Sequence, residues 1–451
     1  MSSTILGYPI PSIVNWGAKG DDRGDGGRRA RQMEKIYAVA DYLDNLEDVK
    51  ANDLVLLTDS LDTWFQLPPS ILVQRYHTIN ARANQLLKAK LGPSAKYASQ
   101  AVVFSAEKKC WPRSAEDMGC GGLPESPLPK DIYGPLTDVN NYHVPDYVEF
   151  LHGKKHQEGE AKVTEGQYFS HMRSRYLNSG FMLSPVSQAR ELFHRAAVIA
   201  RADPQVYGAD QGIFAQLLGE QTYVRDSRQS AEQSPWKRGK IVDFNPVEGQ
   251  QYEWGIGLDY ERSLGYPTAF AEQDFAWIKF QDMDDIEAKA RELNVTNPRV
   301  ITQGLQQDIG KAPTPLSDIP GQESTTWASL PLFTDLWTGI TPATIHHNAL
   351  TKGRKKIRDE SWWRMWFVPW TRQLFDAQKA RFEDEESSHR FFMSKGRNSD
   401  LRGVVRDEMV RENGFGAETV DREGKKGWIR WDEICDENSQ RDVFEAKQPE
   451  A

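Results

Sequence analysis

Apolar and polar residues follow two characteristic spacings along the first part of the chain. Residues 8–16 predict a short strand that is entered through a proline-stiffened turn. Residues 28–46 carry apolar side chains at helical spacing and predict a helix. The unbroken apolar run at 54–57 is typical of a strand that is buried on both faces of a parallel sheet. Strand, helix and strand in this order begin a βαβ unit and predict an α/β protein.

The same patterns divide the rest of the chain into regions. They predict helices at 70–91, 186–202, 213–218 and 282–293, and strands at 101–107, 176–183, 240–244 and 343–352. Residues 1–355 are therefore predicted to form one domain, with insertions at about 112–170 and 265–325 where the periodicity is weak. An aromatic, helical extension at 356–435 is expected to pack on this domain, and a disordered tail is expected at 436–451.

Two carboxylates follow the apolar run directly. Asp59 and Asp62 stand three positions apart at the corner where the predicted strand ends. Ligands of open α/β sheets collect beyond the carboxyl ends of such strands. Two acids at that corner could therefore hold a hard divalent cation and the phosphates that it carries. The alternative is that either acid caps a following helix, a common use of aspartate.

Charge and hydropathy exclude some classes of partner. The chain has 451 residues and a formal net charge of −9 at pH 7. Nucleic-acid surfaces are normally basic, so this charge argues against nucleic acid as a partner. No stretch reaches the roughly 20 apolar residues of a membrane-spanning helix, and no signal-peptide core follows Met1. The chain as given is expected to be soluble and to make no membrane contact.

Cysteines and one sequon bear on the compartment. Cys110 and Cys120 could pair if the surroundings are oxidising, which would leave Cys435 unpaired. No cysteine or histidine spacing is typical of a zinc site. Asn294 and Thr296 form an N-glycosylation sequon, which matters only in a secreted chain.

Five short polar motifs lie at predicted strand ends and helix starts. They are TDSLD at 58–62, FSAEKKCWP at 104–112, LNSG at 177–180, DQ at 210–211 and HHNALTK at 346–352. In this order they resemble the glycosyltransferase domain of the procollagen lysyl hydroxylases and related fungal glycosyltransferases, over about residues 28–260 and 340–355. The resemblance implies a GT-A-like, Rossmann-type mixed sheet flanked by helices, a UDP-sugar donor, Mn²⁺, and a hydroxyl acceptor on a glycan or protein.

The resemblance also implies roles for residues of the metal and donor site. Asp59 and Asp62 match the metal- and diphosphate-binding DxxD motif, and His346 matches the histidine that completes the ligand set. Lys352 matches a lysine that meets the diphosphate. Two carboxylates and one imidazole form a mixed oxygen and nitrogen set that suits Mn²⁺.

Further roles follow from the same resemblance. Asp210 and Asn178 match positions that line the sugar-transfer cleft, and Glu107 and Trp111 match the corner beside it. We therefore expect catalytic roles for Asp210, Asn178 and Glu107, and a donor-binding role for Trp111. Lys35 resembles a lysine on the donor side, although an ordinary surface lysine is the alternative.

The sequence departs from the family pattern at several positions. Leu61 replaces a tyrosine inside the DxxD motif, His347 and Ala349 replace glycines, and Ala209 replaces the first acid of an acidic pair. The family also places a nucleotide-binding strand before the segment that begins here at Gly7. A longer form with a membrane anchor would belong in the Golgi or ER lumen.

Two further hypotheses are open, the first because of these departures and the second because of the acids. One is a non-catalytic descendant that retains the fold and binds a nucleotide sugar, a glycan or a protein. The other is a metal-dependent phosphohydrolase, although the His/Asp clusters of a two-metal site are missing. The leading prediction is a Mn²⁺-dependent hexosyltransferase that uses a UDP-sugar.

Overall fold

The computed structural model describes residues 1–17, 24–47, 49–114, 116–138, 169–202, 207–227, 244–348, 352–383, 410, 413–421, 423–436 and 444. Its strands are β1 (Ser12–Val14), β2 (Leu54–Thr58), β3 (Thr63–Phe65), β4 (Val102–Glu107), β5 (Tyr176–Pro185), β6 (Ile256–Asp259), β7 (Gly265–Pro267), β8 (Phe275–Ile278), β9 (Leu332–Asp335), β10 (Thr344–His346), β11 (Gly416–Val420) and β12 (Lys426–Arg430).

The α-helices are α1 (Ser2–Ile5), α2 (Gly24–Asp44), α3 (Pro69–Leu91), α4 (Met118–Gly121), α5 (Val186–Ala202), α6 (Asp210–Ser227), α7 (Met283–Glu292), α8 (Arg299–Gln303), α9 (Gln307–Lys311), α10 (Lys352–Trp362), α11 (Thr371–Glu383) and α12 (Trp431–Ile434). Short 3-10 helices lie at Gly92–Tyr97, Gly134–Leu136, Pro315–Asp318, Trp327–Ser329 and Val368–Trp370. The predicted helices at 70–91, 186–202 and 282–293 are confirmed, and the one predicted at 213–218 is part of the longer α6.

The central sheet has the strand order β2-β5-β4-β6. Strand β5 runs antiparallel to both β2 and β4, whereas β4 and β6 are parallel. The α/β class is therefore confirmed, with a mixed sheet. The expectation that residues 54–57 lie in a parallel sheet is wrong, because β2 pairs antiparallel with β5. Both faces of β2 are packed, since Val55 and Leu57 contact one core and Leu54 and Leu56 the other, but each residue is only partly buried. An apolar run predicts a strand, but it does not determine the direction of the partner strand.

Both faces of the central sheet are covered, and side chains alternate between the two sides. Phe104 packs into a core formed with α2, α5 and α6, while its neighbour Val103 packs into a second core that includes α3. The second core also contains Phe333, Trp327 and Trp366. Burial on both sides fixes the register of the sheet, since a slip of one residue would exchange the two faces.

The described residues also form three smaller sheets. Strands β3-β10-β7 form the sheet that carries part of the site described below, and β8 pairs with β9. The segment predicted as an insertion at 265–325 supplies β7 and β8 to these sheets. Strand β1 pairs in parallel with β11, which forms a hairpin with β12. The extension at 356–435, predicted as helical and irregular, thus contains a hairpin as well.

The extension also contacts the second core. The Trp366 indole is buried there and donates a hydrogen bond to the Gln66 carbonyl at 2.8 Å. Residues 240–243 of the strand predicted at 240–244, and most of the predicted tail at 436–451, lie outside the described residues. In the part of the chain that the structure describes, no helix combines the length and apolar character needed to cross a bilayer.

Candidate metal centre

Strand ends bring Asp59, Asp62 and His346 together. Asp59 follows the last residue of β2, and Asp62 precedes the first residue of β3. Strand β10 pairs antiparallel with β3 and sets His346 opposite Thr63, next to Asp62. The amide of His347 donates to the Asp62 carbonyl at 2.7 Å and fixes this alignment. A strand, rather than a helix, follows Asp62, so helix capping does not explain these two acids.

The three side chains converge at distances that suit a shared cation. His346 Nε2 lies 3.5 Å from Asp59 Oδ2 and 3.5 Å from Asp62 Oδ1. One ligand atom from each residue lies within 4.8 Å of the other two. A separation of 3.5 Å is longer than an ordinary hydrogen bond, but it is normal for two atoms that each lie about 2.1 Å from one ion. The set therefore fits a divalent cation.

Burial leaves one side of this group open. Asp62 and His346 are buried, whereas Asp59 is half-buried. Leu61, between the two acids, is 82% exposed. An open side is what a metal needs if it is also to bind oxygens from a ligand.

Gly180 of β5 leaves space for the His346 imidazole because it has no side chain. A Cβ atom at this residue would lie 2.1 Å from His346 Cε1 and 2.5 Å from Nδ1. Such contacts are far closer than atoms in proteins approach, so any larger residue would displace the ring. The need for glycine at 180 is steric.

Lys35 links the metal centre to Asp210. Its ammonium donates to Asp59 Oδ1 at 2.6 Å and to the Ser179 carbonyl at 3.2 Å, and it lies 3.3 Å from Asp210 Oδ2. Asp210, the first residue of α6, also accepts a hydrogen bond from the Ser179 hydroxyl at 3.0 Å. Lys35 is thus part of the site and not an ordinary surface lysine.

A cluster of side-chain amides lies behind His346. His346 Nδ1 lies 3.0 Å from Asn178 Oδ1, and Asn178 Nδ2 donates to Glu107 Oε2 at 3.0 Å. Gln211 donates to Glu107 Oε1 at 2.7 Å, and Asn348 donates to Oε2 at 3.3 Å. The buried carboxyl group of Glu107 therefore accepts hydrogen bonds from three amides.

Of the two remaining predicted donor-site residues, Trp111 contacts this cluster through its backbone. The Trp111 carbonyl accepts a hydrogen bond from Gln211 Nε2 at 2.8 Å, and its indole is partly exposed. Cys110 and Cys120 form a disulfide that closes the segment following β4. Lys352 begins α10, but its side chain lies outside the described residues.

The close approach of these charged groups shifts the pKa values of Asp59, His346 and Lys35. Burial opposes the ionised form of Asp59, but Lys35 and His346 outweigh it and hold the pKa of Asp59 well below its usual range. Burial would lower the pKa of His346, but its contacts with Asp59 and Asp62 raise that pKa to about 9. Burial likewise opposes the charge of Lys35, but Asp210 and Asp59 raise its pKa overall.

Two neighbouring groups, Glu107 and His347, also have shifted pKa values, and burial is the largest cause of each shift. Burial raises the pKa of Glu107 to about 7, although the amide hydrogen bonds act in the opposite direction. Burial and the charge of His346 lower the pKa of His347 to about 3. His347 is therefore neutral at physiological pH.

The sequence predicted most of these residues and missed four that support them. Asp59, Asp62, His346, Lys35, Asp210, Asn178 and Glu107 lie in one connected group. Gly180, Ser179, Gln211 and Asn348 had no assigned role, although all four stand inside the quoted motifs. The signal was their adjacency to a predicted site residue.

No protein-family model and no curated protein matches this chain.

Proposed function

We propose that the chain is a Mn²⁺-dependent glycosyltransferase that transfers a hexose from a UDP-sugar to a hydroxyl group of a glycan or protein. The observation that carries the proposal is the convergence of Asp59, Asp62 and His346 at one edge of an α/β fold. The order of motifs along the chain, with its resemblance to a family of such enzymes, supports the donor and the reaction.

The donor atoms support the choice of metal. Carboxylate oxygens favour Mg²⁺, Ca²⁺ and Mn²⁺, and an imidazole nitrogen shifts the preference towards a transition metal. When bound, the ion would neutralise negative charge that develops on a departing diphosphate. Asp59, Asp62 and His346 would hold it, with the half-buried Asp59 on its open side.

Lys35 and Asp210 are the chain's own charged groups beside that position. Lys35 is a fixed positive charge in contact with Asp59 and suits the phosphates of a donor. Asp210 is buried and held by Lys35 and the Ser179 hydroxyl, so its carboxylate has a defined orientation. A positioned carboxylate next to the donor can orient an acceptor hydroxyl or accept its proton.

The test is release of UDP from a panel of UDP-hexoses with Mn²⁺. We expect the wild-type chain to release UDP and Asp62→Asn to release none above background. Asp376→Asn is a matched control, because it removes the same charge from an exposed pair on α11. Equal release by the wild type and Asp62→Asn would contradict the metal role.

One observation favours a non-catalytic nucleotide-sugar-binding protein as the second candidate. Lys35 forms ion pairs with both Asp59 and Asp210. One ammonium group thus links a proposed metal ligand to the carboxylate that is proposed to meet the acceptor. A binding protein would show a joint rise in melting temperature with UDP and Mn²⁺, since both ligands bind the folded state. It would release no UDP from any donor in the panel.

A further inference from the structure

We infer that Asn178 and Glu107 are positioning residues for His346, and do not act on the substrate themselves. The inference rests on the proposed metal site and adds to it a mechanism that selects one form of the histidine. It changes the roles expected from the sequence, which treated both residues as catalytic.

The orientation of the Asn178 amide is determined at both ends. The Gly180 amide donates to Asn178 Oδ1 at 3.1 Å, so an acceptor oxygen is required there. Asn178 Nδ2 faces the Glu107 carboxyl group at 3.0 Å, so a donor is required on that side. A flipped amide would oppose donor to donor and acceptor to acceptor, which both contacts exclude.

This orientation determines the protonation of His346. Because Asn178 Oδ1 only accepts, His346 Nδ1 at 3.0 Å must carry the proton between them. The neutral ring then has its lone pair on Nε2, the atom that faces Asp59 and Asp62. Metal-binding histidines usually donate their other N–H to such an oxygen, which fixes the tautomer and the ring.

Glu107 holds the amide and is itself held. It is buried, and three amides donate to its two oxygens, from Asn178, Gln211 and Asn348. Burial and these three donors fix the orientation of the Glu107 carboxyl group, which in turn holds the Asn178 amide in place. The hydrogen bonds from Glu107 through Asn178 to His346 therefore lead to the proposed metal site.

The experiment measures Mn²⁺ binding directly, by calorimetry and by loss of the free-ion electron paramagnetic resonance signal, without nucleotide. Asn178→Leu removes the acceptor from His346, and we expect affinity to fall about 10–100-fold, the usual cost of losing such a partner. The melting temperature without metal, measured for each variant, identifies any that fail to fold.

A charge-conserving exchange separates positioning from general damage. Asn178→Asp alone places two carboxyl groups 3.0 Å apart at the Glu107 contact, and we expect weak Mn²⁺ binding. Adding Glu107→Gln restores a donor opposite the introduced carboxylate, which still offers an acceptor to His346 Nδ1. We expect the double variant to bind Mn²⁺ within severalfold of the wild type, which a purely structural role does not predict.

The outcomes distinguish this inference from the proposed function. If the folded Asn178→Leu variant binds Mn²⁺ as tightly as the wild type, the positioning role is wrong and the metal site stands. The same holds if the double variant is no better than Asn178→Asp. If the wild type binds no Mn²⁺, the proposed function fails.

A separate set of observations concerns Asn294, and we propose that it is an acceptor for an N-linked glycan. Asn294 and Thr296 form the one Asn-X-Ser/Thr sequon in the sequence, and both residues are exposed. The sequon begins two residues after the end of α7, and Val295, between the two exposed residues, is buried. The Cys110–Cys120 disulfide fits the oxidising compartment in which such transfer occurs.

The turn gives Asn294 a second explanation. Its φ of 56° is left-handed, its amide donates to the Arg291 carbonyl, and the next amide donates to the Ala290 carbonyl. Asparagine is common at this position of a helix end because it tolerates the left-handed conformation. Helix capping accounts for Asn294, but it does not require threonine at 296.

Substitutions at the two positions separate capping from glycosylation. The full chain is directed into the endoplasmic reticulum of a eukaryotic host, and its mass is measured before and after treatment with peptide N-glycosidase. We expect one glycan on the wild type and Thr296→Ser, and none on Thr296→Ala or Asn294→Gly. Asn294→Gly should keep the melting temperature, since glycine also suits this φ. An unmodified wild type, or a glycan that persists in Asn294→Gly, would overturn the proposal.

Discussion

Two groups of charged residues in the described part of the chain are built differently. The first, here called the buried ion cluster, consists of Lys108, Arg262, Asp274 and Asp335. Lys108 Nζ lies 2.5 Å from Asp274 Oδ2, and Arg262 Nη2 lies 2.6 Å from Asp335 Oδ2. Two cations face two carboxylates, so the charges balance, and all four residues are fully or almost fully buried.

The second group is the candidate metal centre. Among the described residues it gathers the carboxyl groups of Asp59, Asp62, Glu107 and Asp210 around one ammonium, from Lys35, and one imidazole, from His346. Carboxylates exceed fixed positive charges, and one acid remains half-buried. In the balanced, sealed group each charge has a partner, whereas the negative, partly open group has room for a bound cation. The contrast in charge balance and access supports a functional role for the second group.

The largest expected effect comes from breaking the buried ion cluster. Arg262→Met leaves Asp274 and Asp335 with one cation, and removing one partner of a buried pair costs about 3–5 kcal/mol. We expect chemical denaturation to show a loss of this size. Arg82→Met, which breaks an exposed pair with Glu261, is the control and should cost at most about 1 kcal/mol. A small loss for Arg262→Met would mean that the cluster does not depend on charge balance.

The next effect tests the geometry of the metal centre without altering its charge. In Gly180→Ala the added methyl group would displace the His346 ring, because a Cβ would lie 2.1 Å from its Cε1. At a Mn²⁺ concentration about 100 times the wild-type dissociation constant, we expect the wild type to gain about 2.7 kcal/mol and this variant almost nothing. Thermal unfolding with and without Mn²⁺ measures the difference.

The control for that experiment is another alanine substitution. Gly310→Ala places its methyl group no closer than 3.9 Å to a neighbouring atom, Leu305 Cδ2. It should keep the full response to Mn²⁺. An unchanged response in Gly180→Ala would instead mean that His346 is not a ligand.

A third effect follows from pH and distinguishes the two groups again. The pKa of His346 is raised from its ordinary value of 6.5 to about 9, because Asp59 and Asp62 overcome the effect of burial. Without metal, the stability that this contact provides is fully present below pH 6.5 and is lost as pH rises through 9. Metal must displace the proton, so Mn²⁺ affinity should rise by up to about tenfold per pH unit below about pH 9.

Calorimetry between about pH 6 and 8.5 measures this dependence. In two buffers of different ionisation enthalpy, the heats at about pH 7 should report about one proton released per Mn²⁺. The buried ion cluster is matched within itself and should contribute no such release. Affinity that is flat with pH would show that the imidazole does not bind the ion.

The sequence predicted the acids of the metal centre more readily than their surroundings. An apolar run that ends in two aspartates is a local pattern, and β2 with Asp59 follows from it. The direction of β2 did not follow, since that depends on β5, which lies far later in the chain. His346 was linked to the acids through the resemblance alone, because only the pairing of β10 with β3 brings it near them.

The supporting residues and the buried ion cluster were harder to predict. Gly180 matters because a ring from a distant strand occupies its Cβ position, which no local pattern reports. Asp274 lies in the region taken for an insertion, where strands of three or four residues between prolines and glycines show no periodicity. Its partner Lys108 follows β4 and resembles any exposed lysine in the sequence, although it is fully buried. Ion pairs between distant segments become visible only in the fold.

The smallest expected effect tests whether Lys35 opposes the binding of a metal ion or supports it. Its ammonium lies 2.6 Å from Asp59 Oδ1, so it competes for a metal ligand and repels a divalent ion. We expect Lys35→Met to tighten Mn²⁺ binding about fivefold, equivalent to about 1 kcal/mol. Calorimetry at low ionic strength measures this change, with Lys289→Met, which breaks an exposed pair with Glu292, as the control. Weaker binding by Lys35→Met would mean that the lysine holds Asp59 in place for the metal, and the two groups would then both depend on a protein cation.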